Sequence, residues 1–80
     1  MKLVEISSGK CARVLGFYGS RGLEFKMLQL GLRLGDKICV LRHAPLGGPF
    51  LIETNGRVMA LGRRIASRII VEEIKCDLSS

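Results

Sequence analysis

Apolar positions along this chain of 80 residues change period as they go, and each change falls at a glycine, a proline or an asparagine–glycine pair. Leu3, Val4 and Ile6 give residues 2–6 a strand-like look, and Ser7-Ser8-Gly9 breaks the run before a longer one from Lys10 to Phe17. Together they predict a first strand with an interrupted start. Beyond Gly19 and Ser20, Leu23, Met27, Leu30 and Leu34 recur at helical spacing, with Phe25, Leu28 and Leu32 on an adjoining stripe. The spacing predicts one helix over residues 21–31, with Ser20 placed to cap its start and Phe25 claimed by the core. Gly31 stands where a C′ residue belongs: without a Cβ the left-handed backbone costs little there, and Leu32 can fold back on the last turn.

Gly35 marks a second turn, and Ile38-Cys39-Val40-Leu41 is a short apolar run between Gly35-Asp36 and Ala44-Pro45, which predicts a strand over residues 36–43. Asn55-Gly56 supplies the two positive-φ positions of a type I′ turn between residues 50–54 and 57–61. The turn sets the register: Thr54 faces Arg57, Ile52 faces Met59 and Phe50 faces Leu61, so Phe50, Ile52, Met59 and Leu61 share the core face. About one helical turn is expected at residues 63–67, before a strong final strand from Ile69 to Ile74. Five or six short strands with one inserted α-helix and one helical turn describe a mainly β protein, a small SH3-like barrel. A chain of this length encloses one modest core and no second. Residues 1–75 therefore read as a single domain and residues 76–80 as a frayed C-terminal tail.

Charge narrows the partners. The formal net charge is +6, and residues 1–71 hold twelve basic against four acidic residues, a body of +8 with the remaining acids gathered behind it. Such a field favours an acidic partner without specifying a fold. The opening lacks the pattern of a secretory signal, and no stretch approaches the about 20 consecutive apolar residues of a spanning helix. The expectation is a soluble, cytoplasmic protein with no direct membrane insertion.

Candidate chemistry is sparse. Cys11, Cys39 and Cys76 are odd in number and widely spaced, which fits neither a disulfide framework nor a CxxC motif. They are expected as reduced thiols, with Cys11 and Cys39 serving as small core residues. The one histidine, His43, has no ligand near it in sequence, and with Asp36 or Glu53 makes the best ferrous set that can be assembled. No metal site and no cofactor are predicted. Nor is an enzyme, since there is no nucleophile with a base and no phosphate loop, and Glu72 and Glu73 alternate across a strand. A docking surface remains. Pro45, Leu46, Gly47 and Pro49 form a loop stiffened by two prolines, and Arg63, Arg64 and Arg68 cluster in the last turn. Leu46 has two readings of equal weight, displayed to a partner or tucked into the barrel end.

The order of these pieces resembles the ferrous iron transport protein A (FeoA) family. Leu30-Gly31-Leu32, Gly35, Ala44-Pro45-Leu46-Gly47-Gly48-Pro49, Gly56, Ala60-Leu61, Ala66 and Ile69 with Val71 carry the resemblance, over residues 3–74. Each fragment alone is common, and their ordered combination is specific. Three positions depart: Leu34 stands where the family commonly has proline, Gly48 where aspartate is frequent, and Arg64 where an acidic residue is frequent. The resemblance implies a cytoplasmic accessory protein of bacterial ferrous iron uptake, not an established enzyme. Its partner would be FeoB, a membrane permease with a cytosolic GTP-binding domain. It also carries the analogy of an activator of GTP hydrolysis, which would need an exposed, positioned arginine. On that reading Pro45, Leu46, Gly47, Pro49, Arg63 and Arg64 are the candidate partner-binding residues, and Gly31, Gly35, Asn55 and Gly56 are structural turns. A basic nucleic-acid-binding barrel is the alternative, disfavoured because only Phe17, Tyr18, Phe25 and Phe50 are aromatic and the core claims two of them. A third reading is a stand-alone relative of the SH3-like domain that ends iron-dependent repressors. A homo-oligomer is open on any of these.

Overall fold

In the computed structural model, which describes residues 1–19 and 21–76, five strands make one antiparallel sheet. They are β1 (Cys11–Phe17), β2 (Lys37–His43), β3 (Phe50–Thr54), β4 (Arg57–Leu61) and β5 (Ile69–Ile74), in the order β4-β3-β2-β1-β5. Helix α1 (Arg21–Leu30) is inserted after β1, and the single turn α2 (Arg63–Ala66) joins β4 to β5. The fold is mainly β and SH3-like. A sheet this small encloses a core only if it curls, and β1 and β2 each carry a bulge. Leu15 lies outside the register between Val14↔Val71 and Gly16↔Ile70, and Leu41 between Val40↔Ile52 and Arg42↔Leu51. The inward alternation places Ala12, Val14, Ile38, Val40, Phe50 and Ile52 in the core with Ile69 and Val71. The Ser20 cap and residues 77–80 of the expected tail lie outside the described residues.

The hairpin has the register that its turn dictates, Thr54↔Arg57, Ile52↔Met59 and Phe50↔Leu61, with Asn55 at φ 53 and Gly56 at φ 76. Helix α1 ends as expected. Gly31 has φ 84, its N–H donates to the Leu28 carbonyl at 3.0 Å, and the Leu32 N–H donates to the Met27 carbonyl at 2.9 Å. Leu32 and Met27 are both fully buried, the apolar contact that accompanies this cap. The hairpin turn docks on the same spot: the Arg57 guanidinium donates to the Leu30 carbonyl at 3.0 Å, placing a positive charge at the helix C-terminus.

Two expectations need correction. Residues 2–6 are not a strand: Leu3–Glu5 is a 3₁₀ turn, and only Lys2 bridges the sheet, to Ile70. Leu3 and Ile6 are both fully buried. Three residues apart they would point to opposite faces of a strand, whereas a 3₁₀ turn brings them to one side. Phe25 is not in the core, being 63% exposed, and α1 buries Met27 fully with Leu23 and Leu30 only partly packed.

Candidate functional site

The loop between β2 and β3 is closed at its base, where the Ala44 N–H donates to the Pro49 carbonyl at 3.0 Å beside the pair His43↔Phe50. At its tip the Gly48 N–H donates to the Pro45 carbonyl at 3.2 Å, so Leu46 and Gly47 are the central residues of a tight turn, with φ 58 and φ 74. Both signs are positive, as a type I′ turn requires. Leu46 is fully exposed at that tip and is not tucked into the barrel end.

The sequence-predicted docking residues are brought together. A Cβ built on Gly47 would stand 3.9 Å from Nε of Arg63, so the loop tip lies beside α2. The Arg63 guanidinium sits 5.1 Å from the centroid of the buried Phe50 ring, and His43 stacks on the same ring at 4.1 Å. Pro45, Leu46, Gly47 and Pro49 thus form one prominence with Arg63 at its side, and Arg64 follows as an exposed residue of α2. Gly35, at φ 88, is a backbone device like Gly31.

The ferrous set considered from sequence does not assemble. His43 donates from Nε2 to the Ile6 carbonyl at 2.9 Å, and Asp36 accepts from the Arg33 N–H at 2.9 Å and the Asn55 amide at 3.1 Å. Both are structural groups. The cysteines are the larger correction. Cys11 and Cys76 are joined by a disulfide, Cys39 is a free thiol, and Sγ of Cys39 lies 2.7 Å from Sγ of Cys11. Cys11 is buried, as expected of a small core residue, and Cys39 is half-buried, although neither belongs to the main core cluster. Sheet order is the reason: β1 lies between β2 and β5, so Cys11 faces Cys39 on one side and Ile74 on the other. Cross-strand partners share a face, and Cys76, two residues past Ile74, keeps that face by the strand period. Nothing in the spacing of the cysteines announces this; only the pairing of β1 with both neighbours does.

An SH3-like barrel that holds out an apolar loop tip beside a basic turn belongs to the class of small domains that present loops from a β-sheet scaffold. Within that class the chain belongs to the FeoA family, whose FeoA domain model matches residues 1–73, and the family is part of ferrous iron transport. A protein of Methanocaldococcus jannaschii named for Fe(2+) transport, protein A, is 35% identical over 48 residues, 60% of this chain and 56% of its own length. The match therefore spans little more than half of that relative. The solution NMR structure of a FeoA protein from Chlorobium tepidum is 34% identical with a TM-score of 0.83, covering 99% of this chain and 75% of that one. The Stenotrophomonas maltophilia FeoA complexed with zinc, described as a procaryotic SH3 domain protein, shares the fold. Its TM-score is 0.75 at 22% identity, over 90% of this chain and 89% of that one. Among the described residues no helix is long and apolar enough to cross a membrane.

Proposed function

We propose that this chain is a cytoplasmic accessory protein of ferrous iron uptake that docks on the cytosolic side of a FeoB-like permease, without catalytic residues of its own. The tip of residues 44–49 and the basic turn at Arg63 and Arg64 make the contact. The observation that carries this reading is Leu46, a large apolar side chain left fully exposed on left-handed backbone. That conformation costs a non-glycine residue about 1–2 kcal/mol, and a loop tip that merely faced water would avoid it with glycine or asparagine. A partner that covers Leu46 offsets the cost. The net charge of +6 adds attraction to an acidic surface. Iron is the cargo of the partner, and any effect on GTP turnover acts through the exposed Arg64 or Arg68, because Arg63 is engaged over Phe50.

Capture of the permease's cytosolic domain tests the surface. Leu46→Asp and Arg63→Glu should each weaken association about tenfold or more, corresponding to ~1.4 kcal/mol, with the circular dichroism of the barrel unchanged. Undiminished capture by both variants removes this surface from consideration. Tyr18 at 68% and Phe25 at 63% exposure leave two aromatic faces in solvent, which favours the nucleic-acid alternative more than the sequence did. Binding of single-stranded RNA with a steep salt slope would mark that outcome.

A further inference from the structure

We propose that Cys11, Cys39 and Cys76 form, when reduced, a three-thiolate site for a thiophilic metal ion of the Zn²⁺ class, on the face of the sheet opposite the core. The three sulfurs come from β1, β2 and the segment after β5, and all lie within 4.8 Å of one another. Three thiolates around Zn²⁺ at about 2.3 Å stand ~3.8 Å apart in tetrahedral geometry, so the sulfurs, held closer than this while the disulfide is closed, have only to spread by about 1–2 Å to receive the ion. A disulfide uses two of these cysteines and leaves Cys39 without a purpose, yet Cys39 faces Cys11 directly in the register. Its sulfur lies 2.7 Å from that of Cys11, so the three side chains converge on one point.

The surroundings fit the same ion. The cysteines line a recess of about 590 Å³ together with Lys37, Glu53 and Asn55. Three thiolates on a divalent ion carry one net negative charge, which the Lys37 ammonium offsets. Glu53 is the cross-strand neighbour of Cys39 and shares its face, offering an oxygen for the fourth position where water does not take it. Thiolate donors select zinc over ferrous ion, so the site is separate from the cargo and independent of the docking surface.

The disulfide and the metal site exclude each other. Opening the Cys11–Cys76 bond takes two electrons and two protons from a dithiol, which is itself closed to a disulfide. Metal binding then releases one proton from each of the three thiols to solvent.

The test is anaerobic titration of the reduced 80-residue chain with Co²⁺, then displacement by Zn²⁺. Expected are one ion per chain, a thiolate-to-cobalt charge-transfer band and tetrahedral visible bands. Cys39→Ser and Cys76→Ser, which leave the buried Cys11 untouched, should each weaken binding by more than the ~10–100-fold that loss of a mere supporting group costs. A reduced wild type without the charge-transfer band, or a Cys39→Ser variant that keeps wild-type affinity, overturns the site. Zn²⁺ should also keep three titratable thiols in air, where the metal-free chain falls to one. Equal loss of thiols with and without Zn²⁺ would count against it as decisively.

Discussion

Single residues decide where this backbone turns, and the glycine at the end of α1 shows how. Gly31 has φ 84, and a Cβ there would run into the Arg57 guanidinium. Gly31→Val should lower the unfolding free energy by about 1–3 kcal/mol, read from the urea midpoint. Gly31→Asn should cost less, since asparagine tolerates that conformation. Thr54 is buried, and its hydroxyl donates to the Lys37 carbonyl at 2.9 Å. Thr54→Val keeps the shape and removes the bond, with an expected loss of about 1 kcal/mol by the same measurement. Gly31, Gly35, Asn55 and Gly56 were legible in the sequence because the stereochemistry of a positive φ is a property of one residue. Leu46 was not, because a leucine carries no signal for left-handed backbone.

At the level of elements, periodicity told which face of α1 would turn inward and not how much of it would be covered. Met27 is fully buried while Phe25 stays in solvent, although both sit on apolar stripes. Met27→Ala should therefore cost about 2–5 kcal/mol, and Phe25→Ser should stay within about 0.5 kcal/mol of wild type, in thermal or urea unfolding. An equal cost for both would mean that the helix packs through a wider face. The β3–β4 hairpin was the most legible element, since a two-residue turn fixes register with no help from the rest of the chain. The 3₁₀ turn at Leu3–Glu5 was the least legible, because its shape follows from burying Leu3 and Ile6 on one side of a core that other segments build.

For the whole molecule the Cys11–Cys76 bridge is the widest constraint, closing a loop with a sequence separation of 65. Loop-closure entropy for that length amounts to about 4 kcal/mol, so a reductant should lower the unfolding free energy by about 2–4 kcal/mol, read from urea curves. Cys76→Ser in a Cys39→Ser background, which also removes the thiol that faces Cys11, should reproduce the loss and make the chain indifferent to the reductant. A midpoint that does not move with reduction would mean that the bridge constrains nothing outside the native fold. By itself the sequence determined the order of elements, the hairpin register, the stop of α1 and the make-up of the loop at residues 44–49, because period and backbone stereochemistry are read along the chain. Only the tertiary structure decided that β1 runs between β2 and β5, and with it that three widely spaced cysteines share one face, that Arg63 lies over Phe50 and that Leu46 is left in solvent. Strand adjacency comes from the curling of the sheet around a common core, and no local run of residues carries that information.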